Sequence, residues 1–241
     1  MLRQIRQSAT GVSVNTAALL SALVLQEPSS QSPLFSVRDG CLRITTFPTD
    51  LAGMRVQTVE VKSGECLCFK MSDKLCDFLQ GCRGYHAVRF SLKKGTLTVT
   101  AESTCSAVHV EFPGVETAED VFIDGHPQDV ELTVPTEEWL KLWQTVPGTG
   151  KVTVHCHARK KTVTLTHVSK QWAAIVQGTT APDRSIAFVC CGHVARATLG
   201  ATTGTCPTPS TFSMLTFMHN GVLKWAVDRI EVYLAPAVAD P

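Results

Sequence analysis

The chain has 241 residues, enough for one large domain or for two of about 110 to 125 residues that each bury a core. Hydrophobic residues make up 44% and charged residues 18%, which excludes intrinsic disorder. A formal net charge of +1 excludes any partner recognised through a global field, so a basic surface must be local.

Met1 to Gln7 reads as a short strand, and Ser13 or Asn15 can cap a helix running through Ala17, Leu19, Leu20, Leu23 and Val24. Three β-rich stretches follow, Leu34 to Val37, Cys41 to Phe47 and Met54 to Lys62, the first two joined by Arg38-Asp39-Gly40 in hairpin style. Cys66 to Lys70 predicts another strand, and Ser72 caps a second helix, Asp73 to Gln80, with Gly81 as its exit. Val88 to Leu92 and Thr96 to Ala101 form a hairpin across Lys93-Lys94-Gly95. Ala107 to Phe112 and Glu119 to Asp124 complete this half. The second half repeats the grammar. Val130 to Val134 is a strand, and Thr136 caps the helix Glu137 to Thr145, which carries two acids in its first turn. Lys151 to Ala158 and Thr162 to His167 form a hairpin across Arg159-Lys160-Lys161, with Trp172 to Gln177 beside it. Ser185 to Cys190 leads to a helix, His193 to Leu199, then to strands at Phe212 to Asn220, Val222 to Asp228 and Ile230 to Leu234.

Two tandem copies of one α+β plan account for this order, each with two helices packed on curved antiparallel sheets. The polar Gly/Pro segment 125–129 is the best boundary, giving domains 1–124 and 130–241 around a short connector. The ten cysteines lie mostly inside apolar runs with no signal peptide ahead of them, which predicts reduced thiols in an intracellular protein. The longest apolar run of the N-terminal region, Ala17 to Leu25, is about half a membrane span, so no membrane partner is expected.

Several constellations suggest chemistry. Cys66-x-Cys68 and His155-Cys156-His157 place soft ligands on one face of a strand, but the C-x₂-C turns that usually build structural zinc are missing. Cys190-Cys191 near His193 evokes a thiol nucleophile, without a third orienting residue. Trp139 and Trp143, four apart on a helix, read as a core face sooner than as a base-stacking platform. Arg159-Lys160-Lys161 is a solvated turn or a phosphate contact. No P-loop, G-x-S-x-G or H-E-x-x-H occurs, so the expectation is a protein without enzymatic activity, metal or cofactor.

Tyr233-Leu234-Ala235-Pro236, the hairpin before it around Asn220-Gly221, Leu67 to Gln80, Asp39-Gly40-Cys41-Leu42 and Val130 to Trp139 together resemble the proliferating cell nuclear antigen family of DNA sliding clamps, here a divergent member whose departures would suit a viral clamp. The resemblance implies the DNA clamp fold and a homotrimeric ring that encircles duplex DNA without reading its sequence. It also implies docking of a DNA polymerase and other replication and repair proteins, and residence in the nucleus, the host's if the chain is viral. By that match, Lys74, Arg83, Lys141 and Arg196 face DNA from the inner helices or their ends, with His193 adding charge at lower pH. Phe47, Leu51, Tyr233, Ala235, Pro236 and Val238 line the groove for partner peptides. Val121, Phe122 and Ile123 pair edge to edge with Ala173, Ala174, Ile175 and Val176 of the next subunit. Two departures stand out: the first helix, Asn15 to Leu25, carries no Lys or Arg, and the connector is about a dozen residues shorter than the family's. Within the same fold, a monomeric or dimeric viral-type processivity factor, or a subunit of a heterotrimeric checkpoint clamp, is the alternative. A thiol or metal enzyme is the alternative from another class.

Overall fold

A computed structural model describes residues 11–23, 32–49, 53–61, 66–119, 121, 123, 125–180, 182–203 and 209–237. In the first half the elements are β1 (Val12–Asn15), α1 (Thr16–Leu23), β2 (Leu34–Arg38), β3 (Cys41–Thr49), β4 (Gly53–Glu60), β5 (Leu67–Lys70), α2 (Asp73–Gly81), β6 (Ala87–Lys93), β7 (Thr96–Glu102) and β8 (Ala107–Pro113). In the second they are β9 (Val130–Pro135), α3 (Thr136–Thr145), β10 (Lys151–His157), β11 (Thr162–His167), β12 (Ala173–Gln177), β13 (Ile186–Cys191), α4 (Gly192–Thr203), β14 (Phe212–Phe217), β15 (Leu223–Val227) and β16 (Ile230–Leu234). The order is strand, helix, three strands, repeated four times among the described residues.

Pairing repeats with the order. The first strand of each module is added to the sheet of its sister module: β1 to β6, β5 to β2, β9 to β14 and β13 to β10, all antiparallel. Register repeats as well. Counting back from the residue before each helix, Ser13–Arg89–Thr100–His109 in the first half occupies the places of Thr133–Met214–Ala226–Glu231 in the second.

The described residues belong to two compact units. One comprises residues 11–23, 32–45, 58–61, 66–119 and 121, the other residues 46–49, 53–57, 123, 125–180, 182–203 and 209–237. In the first unit the alternation of β6 and β7 sends Val88, Phe90, Leu97, Val99 and Ala101 to one buried face. There the rings of Phe35, Phe69 and Phe90 meet at centroid distances of 5.4, 6.0 and 6.4 Å. α2 adds Leu75 and Leu79 to this core, and its first turn is capped by Ser72, whose side chain accepts the Leu75 N–H at 3.3 Å. Asp39-Gly40 and Lys94-Gly95 each carry two consecutive positive φ angles (52° and 74°, 49° and 77°), the tight hairpin turns that the sequence predicts.

In the second unit Trp139 and Trp143 are buried from one face of α3, edge to face at 5.5 Å, as their i, i+4 spacing requires. The buried indole of Trp225 donates to Ser213 Oγ at 2.8 Å. Residues 53–57 of β4 belong to this unit and pair with β16 from Gly53↔Leu234 to Gln57↔Ile230. Gly53 packs against α4 so closely that a Cβ there would collide with the Thr198 hydroxyl.

Four sequence expectations need correction or fall outside the described residues. The strand predicted over Met1 to Gln7 lies outside them. Val12 and Val14, within the predicted lead-in to helix one, form β1 instead, because both enter the core; Asn15 still caps α1, accepting the Ala18 N–H at 3.1 Å. Thr136 is not the cap of α3: Pro135 holds that place without a side-chain bond, and Thr136 is buried inside the helix. Glu119, Val121 and Ile123, the described residues of the strand predicted over 119–124, are in no strand. The chain just before them is bound to β5 instead, through Lys70 N–H to the Glu116 carbonyl (2.9 Å) and Ala118 N–H to the Cys68 carbonyl (3.3 Å).

Candidate functional site

Three surfaces concern the residues singled out from sequence. The first is the solvent side of the helices. Lys74, Arg83, Lys141, Arg196 and His193 are all exposed, because α2, α3 and α4 bury only the opposite stripe. Lys141 is paired with Glu137 one turn earlier at 2.5 Å, and its ammonium, by hydrogen bond and then by charge, lowers the Glu137 carboxyl below its ordinary range. The helices are not basic. α1 carries no charge, Asp73 and Asp77 outweigh Lys74 in α2, Glu137 and Glu138 outweigh Lys141 in α3, and Arg196 alone gives α4 a positive charge, so the four sum to −1.

The second surface is an apolar cluster in the second unit, on the face of the sheet away from the helices. Met54 and Val56 of β4 lie in register with Tyr233 and Glu231 of β16, and Met54, Val56, Met218 and Tyr233 form a buried group with Phe47, Ile123 and Val222 half-buried against it. Tyr233 donates its hydroxyl to Glu231 at 2.8 Å, and Lys224, itself 2.5 Å from Glu231, stands 5.5 Å from the centre of the tyrosine ring. Of the predicted groove residues, Phe47 and Tyr233 therefore come together. Ala235 and Pro236 follow β16 into a tail whose Ala237 N–H is bonded to the Val189 carbonyl of β13 at 2.8 Å, and they are not in the cluster. Leu51 and Val238 lie outside the described residues. Ile123, predicted at a subunit edge, packs here instead. Met54, Val56, Met218 and Val222 escape the sequence reading, although the alternation of Met54 and Val56 in a strand that also carries Arg55 and Gln57 is a period-two signal.

Beside this cluster the turn 126–129 borders a polar depression of about 440 Å³ lined by Gly125, His126, Pro127, Asp129, Glu131 and Asp183, among others. The Asp129 carboxylate, 7% exposed, accepts the His126 N–H and the His219 N–H at 2.8 Å each. Burial alone would raise its carboxyl, but the two N–H donors and the neighbouring His219 outweigh burial and lower it.

The third surface is a pair of sheet edges. Among the described residues β8 borders only β7, and β12 borders only β11, within their four-stranded sheets. Both leave apolar side chains uncovered: Val108 of β8 is 38% exposed and Ile175 of β12 is 67% exposed, whereas Val176 is buried and Ala174 half-buried. Val121 is exposed but in no strand, and Phe122 lies outside the described residues. Among the described residues this edge of the first unit's sheet is β8, with β1 at the other edge, and Glu119, Val121 and Ile123 are not part of it.

The competing constellations find little support. Burial pushes the Cys190 thiol up to about 12 and the Cys156 thiol up to about 11, the opposite of what a nucleophile requires. His155 and His157 stand 4.1 Å apart between ring centroids, with burial, then His155 and Lys160, lowering the pKa of His157. Among the described residues no group of three or more His, Cys, Asp or Glu could hold a metal ion. No helix among them is long and apolar enough to cross a membrane.

Comparison with known proteins agrees with this geometry at the level of fold. No family model matches the sequence, and no curated protein matches it. Among solved structures, the beta subunit of DNA polymerase III from Thermotoga maritima superposes with a TM-score of 0.63 at 16% identity, over 95% of this chain and 65% of that one. The chain thus spans less than two thirds of the length of the structure it matches. Four helices on antiparallel sheets, in modules of one strand, one helix and three strands, give this chain the α+β fold of the sliding clamps.

Proposed function

We propose that the chain is a DNA sliding clamp of the proliferating cell nuclear antigen type: a non-enzymatic processivity factor of which three copies join head to tail around duplex DNA. One observation carries the reading. The last strands of the four modules are β4, β8, β12 and β16. Two of them, β4 and β16, cover each other, while β8 and β12 are uncovered. By register β8 is the counterpart of β16, and by order β12 is the counterpart of β4, so β8 of one copy can cover β12 of the next in the way β16 covers β4. Such a contact joins different surfaces on the two partners, and it closes into a ring when the rotation allows. The interface residues are then Val108 to Phe112 on one side and Ala173 to Val176 on the other.

The helix charges favour a ring over a monomeric or dimeric factor. A protein that holds DNA by affinity needs many phosphate contacts, and four helices with a net charge of −1 cannot supply them. A closed ring needs none of that strength, because threaded DNA cannot leave sideways. Lys74, Arg83, Lys141 and Arg196, repeated in each copy, then give weak contacts that exchange as the ring slides. The apolar cluster around Tyr233, with Phe47, Ile123 and Val222 at its margin, is the docking place for aromatic and aliphatic anchors of a polymerase and of other replication and repair proteins. Nuclear residence, in the host's nucleus for a viral clamp, follows from that role.

Two measurements test this. Light scattering should give a mass near three times 26.1 kDa. After loading, the protein should remain on circular DNA and run off the same DNA once it is cut. A strict monomer, or equal loss from circular and linear DNA, refutes the ring; assembly only in the presence of different chains points to a heterotrimer.

A further inference from the structure

The turn after Ile123 is built around a protonatable ring. The Asp129 N–H closes the turn on the His126 carbonyl at 2.9 Å, and the Gln128 N–H is donated to His126 Nδ1 at 3.1 Å. The imidazole of His126 stacks on that of His219 with 3.8 Å between centroids and 27° between planes. The Nδ1 of His219 lies 3.6 Å from Asp129 Oδ1. The two histidines are therefore not equivalent toward protons. A proton gained by His219 faces the Asp129 carboxylate. One placed on Nδ1 of His126 confronts the Gln128 N–H, removes the only acceptor of that bond in the turn, and sets a cation against the stacked ring. The other charged groups around the turn are Glu131 of β9 and Asp183, which line the same depression, and Arg184, whose Nη2 donates to the Gln128 carbonyl at 2.6 Å. Arg184 holds the Gln128 end of the turn in place while the His126 end moves.

The turn is mechanically tied to the apolar cluster. His219 is anchored to Asp129 through its own N–H and directly follows Met218. Met218 in turn donates its N–H to the Val222 carbonyl at 2.9 Å. Met218 is buried in the cluster with Val222 half-buried against it, and Ile123, three residues before His126, is half-buried against it as well. Asp129 and the two histidines thus fasten together the two chain segments that supply these residues.

We propose that His126, His219 and Asp129 form a proton-operated clasp, closed while His126 Nδ1 accepts the Gln128 N–H and opened by protonation there, which loosens Ile123 from the apolar cluster and weakens peptide docking in acid. The clasp rests on this geometry alone; its effect on docking rests on the function proposed above. A proton and the Gln128 N–H cannot share Nδ1, so acid favours the open turn.

Amide exchange of the whole protein, corrected for the pH dependence of intrinsic exchange, tests the clasp at His126, Gln128, Asp129 and His219. Protection should fall severalfold from pH 7.5 to pH 5.5 in the wild type. It should stay constant in His126→Asn, whose side-chain oxygen can accept the N–H two residues on without titrating. Equal protection of the wild type at both pH values, or the same loss in the variant, overturns the clasp. Binding of a synthetic peptide with one aromatic and one aliphatic anchor should weaken in parallel, in the wild type only. A pH-dependent clasp with pH-independent peptide binding would leave the clasp standing and remove the docking role of the cluster.

Discussion

Replacing Ile175 with Glu is the most direct test of the subunit junction. Ile175 is 67% exposed and shares the outward face of β12 with Ala173 and Gln177. The register correspondence gives His109 and Glu111 the outward face of β8, since their counterparts Glu231 and Tyr233 face outward beside Val56 and Met54. In the junction Ile175 therefore meets His109 and Glu111. Burying a whole isoleucine contributes about 1.5–3 kcal/mol, so covering two thirds of one contributes about 1–2 kcal/mol per junction. A glutamate forfeits that and adds a like charge near Glu111, which costs a further ~0.2–1 kcal/mol. Together these weaken each junction about 10- to 100-fold. Light scattering over a dilution series should show Ile175→Glu dissociating at correspondingly higher concentration than the wild type. Val168→Glu is the control, because Val168 is comparably exposed (63%) but lies in the turn after β11. The reasoning fails if Ile175→Glu matches the wild type, or if both variants dissociate alike.

Reversing the charges of Lys74, Lys141 and Arg196 together should lower polymerase processivity while leaving the urea midpoint within experimental error, since all three are exposed. Ser213→Ala orphans the buried Trp225 indole N–H and should cost about 1–3 kcal/mol in urea denaturation, with most of that loss absent on a Trp225→Phe background. Maleimide at pH 7.5 should label the exposed Cys66 and Cys105 well before Cys156 and Cys190, read by peptide mass spectrometry. The Asp129 carboxyl is lowered in the folded protein, so its stabilisation is present above the ordinary carboxylate value of about 4 and lost as pH falls through the folded value. Asp129→Asn should therefore lower stability at pH 7 and flatten the acid limb of the stability curve.

What the sequence makes legible follows from the range of the interaction involved. The α2 cap at Ser72, the tryptophan face of α3 and the turns at Asp39-Gly40 and Lys94-Gly95 depend on neighbours within a few residues, and each is readable from spacing or turn chemistry. The apolar cluster is not, because it joins β4, the end of β14 and β16, elements up to 180 residues apart whose register only the folded sheet sets. The uncovered edge was hidden for a related reason: Val121-Phe122-Ile123 is as apolar as a strand, yet residues 116–118 are held by β5, and the edge falls to β8, whose His109 and Glu111 make it look like a solvent-facing hairpin arm. The Asp129 clasp involves a turn and a hairpin 90 residues apart, and neither histidine carries a recognisable spacing.

The loan of residues 53–57 to the second unit bears on how the chain can be dissected. A fragment beginning at 125–129 would leave the backbone of β16 without its neighbour and strip Met54 and Val56 from Tyr233. Such a piece is expected to be sticky and prone to self-association, since a naked strand recruits whatever strand it meets. Splitting the gene at that point would therefore yield halves that regain solubility only when mixed, whereas a cut between 53 and 57 would divide the borrowed strand itself.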